Sequence, residues 1–80
     1  MSNVYVLVVK SSSYKDNKNF IKYTSQVPRK GECMFDCEGY VQTITNVIWY
    51  PPKKILSKYP SVTYVGYNIK DIQIEAIVYV

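Results

Sequence analysis

CMFDCEGYVQTITNVIWY, residues 33–50, is the stretch of the sequence that decides the fold. Residues 36–39 have the composition of a type I turn, because Asp36 accepts local backbone hydrogen bonds and Gly39 tolerates a positive φ. Residues 40–50 are dense in β-branched and aromatic side chains, which fit a pleated surface and lose rotamer freedom in a helix. The stretch therefore predicts a β-hairpin whose second strand is the longer one.

The apolar residues of that second strand do not follow a simple pattern. Val41, Ile44 and Val47 cannot all lie on one face of a regular strand, in which successive side chains alternate between faces. A β-bulge within residues 43–46 would restore the alternation and would also bend the strand. Closure of a small barrel requires such a bend.

Short strands are predicted on both sides of the hairpin. Residues 4–9 are apolar on both faces, which indicates a central or doubly covered strand, and residues 20–24 predict a strand antiparallel to it. Residues 62–67 predict another strand, whereas residues 53–59 fit a short helical turn and a loop equally well. Alternation in the last strand predicts an inward row that consists of Ile72, Ile74, Ala76, Val78 and Val80.

This order of elements predicts the fold class. Short strands separated by turns about every ten residues indicate an all-β fold, either a small five- to six-stranded antiparallel barrel (SH3-like or OB-like) or a compact sandwich. Residues 1–80 are expected to form one small domain. The predicted core includes Ile44, Val47, Ile74, Ala76 and Val78.

The terminal strands suggest self-association. Both are apolar on both faces near the chain ends, and the sequence ends within the last strand. If either strand lies at a sheet edge, its unpaired amides would pair with another copy of the chain, so we expect a homodimer or a higher homo-oligomer. A fully closed barrel would explain the same pattern.

The composition excludes several kinds of chemistry. The chain has no His, ten basic residues, six acidic residues and a net charge of +4. Imidazole acid–base catalysis and metal ligation by His are therefore excluded. The acidic residues are scattered, and each is explained by turn chemistry or a solvated strand face. We predict that the protein is not an enzyme and that it has no catalytic residue, metal site or cofactor.

The two cysteines indicate a reducing environment. Cys33 and Cys37 are too few for a structural zinc site, and on one extended strand their Cα atoms would lie about 13 Å apart, too far for a disulfide. A turn that begins earlier would bring them within reach. We interpret them as free thiols of a cytoplasmic protein. No signal peptide or run of about 20 apolar residues is visible, so no membrane association is predicted.

One segment resembles a known class of proteins. Residues 28–32, Pro-Arg-Lys-Gly-Glu, precede the hairpin, whose second strand contains Tyr40-Val41 and later Thr45-Asn46-Val47-Ile48. This order resembles small barrel proteins that bacteriophages and other mobile elements often encode, many of which carry a Pro-Arg-x-Gly-Glu turn before such a hairpin. Some members inhibit bacterial immune systems. The resemblance implies a phage or mobile-element origin and a binding role in the host cytoplasm, and it supplies no catalytic residue.

Two basic side chains lie on a Pro-Gly turn, and basic and aromatic side chains are interleaved around residues 49–59. Basic side chains neutralise phosphates and aromatic rings stack on bases, whereas Tyr and Trp also anchor protein interfaces. The predicted ligand- or partner-binding residues are Arg29, Lys30, Trp49, Tyr50, Lys53, Lys54 and Tyr59.

Two functions are compatible with this surface. The favoured hypothesis is a small non-enzymatic binding protein that blocks a host defence system by occupying a protein or a ligand. The alternative is binding of a nucleotide or single-stranded nucleic acid, including sequestration of a cyclic nucleotide signal. Arg29 is the single Arg of the chain, which counts against dedicated phosphate recognition, because the planar guanidinium is the better bidentate ligand.

Overall fold

The computed structural model describes residues 2–10, 19–36, 39–59 and 62–80. These residues contain one short helix, α1 (Lys53–Leu56), and a 3-10 turn (Ile69–Asp71). Their strands are β1 (Val4–Val9), β2 (Phe20–Thr24), β3 (Cys33–Phe35), β4 (Val41–Thr43), β5 (Asn46–Trp49), β6 (Thr63–Tyr64), β7 (Tyr67–Asn68) and β8 (Ile74–Tyr79).

A four-stranded sheet in the order β2–β1–β8–β5 forms the centre of the fold. β1 pairs antiparallel with β2 and parallel with β8, and β8 pairs antiparallel with β5. The prediction that residues 4–9 form a central strand is confirmed, as is the antiparallel pairing with residues 20–24. Val6 and Leu7 point to opposite faces and both are buried, because both faces of the sheet are covered.

Each face of the central sheet carries its own apolar cluster. The β3–β4 hairpin covers one face, and we call the buried residues there the hairpin-face cluster: Val6, Val8, Met34, Ile44, Val78 and Val80. α1, the 3-10 turn and the β6 segment cover the other face, where the buried residues form the cleft-face cluster: Leu7, Val9, Ile21, Leu56, Val62, Ile69, Ile74 and Ile77.

The predicted inward row of the last strand is divided between these two clusters. Tyr5 pairs with Ile74 but Val6 pairs with Ala76, so the register shifts by one residue at this point of β8. Such an irregularity reverses the faces that follow it. Ile74 consequently joins the cleft-face cluster, whereas Val78 joins the hairpin-face cluster. The predicted core residues of β8 are all buried, as is Ile44, and Val47 is half-buried.

The predicted hairpin is confirmed. β3 and β4 pair in an antiparallel register that places Phe35 opposite Val41. The amide of Gly39 donates to the carbonyl of Asp36 at 3.1 Å, and Gly39 has a φ of 88°. Residues 37 and 38, and with them the predicted turn type and Cys37, lie outside the described residues.

The long second strand, by contrast, is two strands in two different sheets. The amide of Ile44 donates to the carbonyl of Glu32 at 2.8 Å, and the carbonyl of Ile44 accepts from Gly31 at 2.9 Å. The next residue, Thr45, donates to the carbonyl of Tyr79 in the central sheet at 2.8 Å. The break in alternation therefore marks the point where the chain leaves the hairpin and joins the central sheet.

The all-β class is confirmed at the level of its elements, although the details differ from the expected antiparallel barrel. Within the described residues the strands form three separate sheets, none of which closes, and the β1–β8 pair is parallel. Of the two alternatives left open for residues 53–59, a helical turn and a loop, the helical turn is observed as α1. The strand predicted over residues 62–67 is wrong, because the chain reverses at Val65-Gly66 and forms the small β6–β7 hairpin instead.

The terminal strands β1 and β8 lie in the middle of the central sheet, and its edges are β2 and β5. The apolar residues on both faces of β1 and β8 are therefore explained by burial within one chain. The structural reason for expecting the terminal strands to pair with another copy is removed, and the oligomeric state stays a prediction.

Candidate functional site

An open cleft lies where the cover of the cleft face is incomplete. It is bordered by the residues that follow β5, by α1, by the 3-10 turn and by the start of β8, and its volume is about 700 Å³. Small-molecule and anchor pockets in proteins are typically about 300–1,000 Å³. The cleft is therefore large enough to accept a ligand or several side chains of a partner.

The floor of the cleft is apolar because buried residues of the cleft-face cluster line it. Leu56 from α1, Ile69 from the 3-10 turn and Ile74 from β8 belong to that cluster and line the cleft. α1 has only four residues, begins directly after Pro52 and is followed by Ser57 as its C-cap. Two elements this short cannot cover the whole face of a sheet, and the space between them stays open.

Two neighbouring aromatic side chains stand near the cleft. Trp49 is 50% exposed and Tyr50, which lines the cleft, is 69% exposed; their ring centroids are 6.0 Å apart. Tyr50 has a φ of 49°, which is uncommon for a bulky residue other than glycine. Its amide donates to the carbonyl of Glu75 at 2.8 Å, which holds the backbone against β8. Strain of this kind is more frequent at functional sites than elsewhere.

Lysine side chains surround the cleft. Lys53 lies on α1 and Lys70 on the 3-10 turn, both are exposed, and both line the cleft. Neither forms an ion pair with any carboxylate in the described part of the chain, where Lys10 and Asp36 form one at 3.2 Å. Asp71 is the acidic residue among the described residues that line the cleft. The positive charges at this site are therefore available to an anionic group of a ligand.

The structure brings together only part of the predicted site. Tyr50 and Lys53 line the cleft, whereas Trp49 contacts Tyr50 without lining it, and Lys54 is exposed on α1 and does not line it either. Tyr59 is half-buried and packs against the cleft-face cluster, away from solvent. Of the aromatic residues in the predicted set, Tyr50 therefore lines the cleft and Trp49 lies beside it.

The hydroxyl of Tyr59 is also engaged within the fold. It interacts with the hydroxyl of Tyr79, whose pKa lies above its ordinary value of 10.0. Burial is the main cause of that rise, and the hydrogen bond and charge of Tyr59 add to it. Tyr59 therefore has a structural role that the sequence pattern did not indicate.

Arg29 and Lys30 lie at the opposite end of β5 from the cleft. Their turn is joined to Ile44 by the Gly31 amide, whereas Tyr50 marks the cleft end of the same strand. Six residues of extended chain separate those two ends, a distance of about 20 Å at ~3.3 Å per residue. The predicted basic–aromatic set is thus two separate surfaces.

The Pro-Arg-Lys-Gly-Glu segment serves the geometry of its turn. The Oε1 atom of Glu32 accepts from the amide of Arg29 at 2.6 Å, and the amide of Glu32 donates to the carbonyl of Arg29 at 3.0 Å. Gly31 has a φ of 91°, a conformation that L side chains rarely adopt. The Gly and Glu of the motif are explained by this turn without reference to a ligand.

One exposed apolar surface was missed in the sequence. Phe35 and Val41 lie opposite each other on the outer side of the β3–β4 hairpin and are 64% and 62% exposed, and Tyr40 beside them is 67% exposed. The available signal was alternation, since the neighbouring Met34 points inward to the hairpin-face cluster. We call Phe35, Tyr40 and Val41 the outer hairpin surface.

Many of the nine tyrosines have packing roles. The rings of Tyr5 and Tyr23 have centroids 4.7 Å apart, and Tyr64 stands edge-on to Tyr5 at 5.3 Å. Aromatic pairs at such distances stabilise a fold beyond the area they bury. These ring contacts join β1, β2 and β6, so several of the tyrosines are explained by packing within the fold.

Among the described residues no group of three or more His, Cys, Asp or Glu side chains is placed to hold a metal ion. In the same part of the chain no helix has the length and hydropathy to cross a membrane. No family model matches this chain, and no curated protein or solved structure is similar enough to it to count as a match.

Proposed function

We propose that this protein is a small non-enzymatic binding protein and that the cleft beside Trp49 and Tyr50 receives part of a protein partner. The observation that carries the proposal is an open apolar cleft with two exposed aromatic side chains next to it. Trp and Tyr are the residue types most enriched among interface residues that dominate binding energy. A pocket beside such residues is the usual place for an anchoring side chain of a partner.

The resemblance of residues 28–48 to mobile-element proteins supports a component of a bacterial defence system as the partner, met in the host cytoplasm. Homo-oligomer formation is kept as part of the proposal, and the edge strands through which copies would pair are β2 and β5.

Peptide display tests the proposal directly. A library of random peptides is selected on the immobilised wild-type protein, and enriched clones are measured again on a Tyr50→Ala variant and on a Tyr40→Ala variant. The two tyrosines are matched, since they are 69% and 67% exposed and lie on different surfaces. We expect Tyr50→Ala to weaken the enriched peptides by about 1–2 kcal/mol, as loss of an interface anchor does, and Tyr40→Ala to leave them unchanged.

The opposite result, loss with Tyr40→Ala and none with Tyr50→Ala, would move the binding surface to the outer hairpin surface. Equal loss in both variants with a lowered melting temperature would reflect damage to the fold, so both variants are first compared by thermal unfolding. Both side chains are largely exposed, and we expect melting temperatures close to that of the wild type.

A second candidate function is binding of a nucleotide or single-stranded nucleic acid. It is supported by Lys53 and Lys70, which stand at the cleft with Tyr50 and lack ion-pair partners among the described residues. A base would stack on the Tyr50 ring and a phosphate would contact the two ammonium groups.

A thermal-shift screen against mononucleotides, cyclic nucleotides and short oligonucleotides at low and high salt tests this candidate. A ligand at 100 times its dissociation constant stabilises the fold by about 2.7 kcal/mol, which is readily measured in a domain of this size. The shift is expected to shrink at high salt, because phosphate binding releases counterions. The absence of any shift at low salt would remove this candidate.

A further inference from the structure

The floor and the rim of the cleft differ in chemistry, and the difference restricts what can occupy it. The floor is built from Leu56, Ile69 and Ile74, which belong to the cleft-face cluster and offer no hydrogen-bonding side chain. An apolar floor favours an aliphatic or aromatic side chain, because burial of apolar surface is favourable without further partners. A phosphate placed on that floor would lose its hydration without compensation.

The rim, in contrast, carries two lysines and one carboxylate, that of Asp71, so that its charge is positive on balance. Lys53 and Lys70 come from α1 and the 3-10 turn, elements that contact each other beside the cleft. Neither lysine has an ion-pair partner within the described residues, and the chain as a whole has a net charge of +4. Exposed ammonium groups next to an apolar pocket are complementary to carboxylates that flank an apolar side chain.

We infer that the cleft recognises an acidic segment of a partner protein, in which one large apolar side chain enters the cleft and flanking Asp or Glu residues face Lys53 and Lys70. This inference rests on the proposed protein-binding function and adds the chemical class of the partner. Tyr50, which lines the cleft, would contact the anchored side chain from the β5 end. The apolar floor is what favours a peptide over a nucleotide at this site.

The probes are two pools of short synthetic peptides that share a central Leu, Ile, Phe or Trp. One pool has Asp and Glu at the flanking positions, and the other has Lys and Arg. Binding to the full chain is measured by fluorescence anisotropy at low and high salt. We expect the acidic pool to bind at least about tenfold more tightly than the basic pool, with the difference reduced at high salt by screening of the exposed charges.

Charge reversal at the rim identifies the residues involved. Lys53→Glu and Lys70→Glu are each expected to weaken the acidic pool about fivefold and to strengthen the basic pool, as reversal of an exposed ion pair does. Lys22→Glu is the matched control, since Lys22 is exposed on β2 opposite Val6 and changes the net charge equally. Equal effects of all three variants would overturn the inference in favour of a general charge effect.

The inference and the proposed function fail in different ways. If both pools bind equally and Tyr50→Ala weakens both, the cleft is a peptide site without acidic preference, and only the inference is overturned. If Tyr50→Ala leaves the binding of both pools unchanged, the cleft is not the binding site and the proposed function fails as well. If neither pool binds while mononucleotides raise the melting temperature, both are replaced by the nucleotide function.

Discussion

The two faces of the central sheet are covered in different ways. On one face the β3–β4 hairpin contributes Met34, and Ile44, which follows the hairpin, joins it in the hairpin-face cluster, where both are buried. The other face is covered by three short elements, α1, the 3-10 turn and the β6 segment, and the cleft lies beside α1 and the 3-10 turn. Both faces carry a buried apolar cluster, and they differ in the elements that cover them.

The two sides of the sheet also differ in which residues have a positive φ. The positive-φ positions of the hairpin side are Gly31 and Gly39, residues without a steric penalty there. On the cleft side, the non-glycine residues Tyr50 and Val65 both have a φ of 49°. Departures from local sequence rules tend to collect at functional sites. Among the described residues, the positive-φ positions of the hairpin side are thus glycines, whereas those of the cleft side include two residues that are strained there.

The largest expected effect compares the cores of the two faces. Ile44 is 1% exposed beneath the hairpin and Ile69 is 0% exposed beside the cleft. Ile44→Ala is expected to cost about 3–4 kcal/mol, because the cavity lies within a closed cluster. Ile69→Ala is expected to cost about 2 kcal/mol, because the short 3-10 turn can relax toward the open cleft. Urea unfolding of both variants measures the difference, and equal losses would contradict the contrast between the faces.

The next largest effect is expected at Asp36, whose buried carboxylate is hydrogen-bonded to residues of the β3–β4 hairpin. Asp36 accepts from the amide of Tyr40 at 2.9 Å and from the side chain of Gln42 at 3.0 Å, and it pairs with Lys10 at 3.2 Å. Asp36→Asn is expected to cost about 2–3 kcal/mol, because a hydrogen-bonded buried charge is lost and Lys10 is left beside a neutral group.

Asp71→Asn is the control for that change, since Asp71 is an exposed carboxylate on the cleft side. It is expected to alter the free energy of unfolding by no more than about 0.5 kcal/mol. Chemical denaturation with an unchanged m-value for both variants would show that the loss arises in the folded state. A small effect of Asp36→Asn would mean that the hairpin is held by apolar packing alone.

A stabilising change is expected at the turn of the β6–β7 hairpin. Val65 and Gly66 have φ values of 49° and 84°, and Val65 is 78% exposed. Two-residue hairpin turns with positive φ at both positions favour Asn-Gly, whereas a β-branched residue is strained there. Val65→Asn is expected to raise the stability by about 1 kcal/mol, or about 4–8 °C in melting temperature.

The control for that turn is Thr63→Asn, which places the same residue in the neighbouring exposed strand position. Asn is disfavoured in strands, so a small loss of stability is expected there. If Val65→Asn lowers the melting temperature as well, the strain assigned to Val65 is wrong.

The smallest expected effect is a loss of stability at alkaline pH that arises from Tyr79, which packs against the cleft-face cluster. Burial and the contact with Tyr59 raise the pKa of Tyr79 above 10.0 in the folded state. The folded state therefore holds this proton more tightly than the unfolded chain does. The associated stability is complete below pH 10 and is lost as the pH rises through the raised pKa. Between about pH 8 and 11, the melting temperature is expected to fall less steeply with rising pH for Tyr79→Phe than for the wild type.

The features that the sequence predicted are those with a local cause. The turn at Asp36 and Gly39 and the two-faced apolar pattern of residues 4–9 each depend on neighbouring residues, and each is present in the structure; the helical turn after Pro52, which the sequence left open against a loop, is present as well. In the candidate site, the predicted residues Tyr50 and Lys53 both line the cleft, because they are close in the chain.

The features that it did not predict depend on contacts between distant segments. The parallel pairing of β1 with β8 joins the two ends of the chain. The division of the long strand after Ile44 depends on β8, because the chain from Thr45 onward pairs with β8 instead of with the hairpin.

The cleft itself is a product of tertiary structure. Lys70 and Ile69 reach the cleft only because the 3-10 turn packs against α1, and no local pattern marks them as partners of Tyr50. Alternation and turn chemistry thus determined the strands and the hairpin from the sequence by itself. Strand order, the switch between sheets and the incomplete cover of one face were decided by long-range packing, because buried apolar area depends on which segments meet.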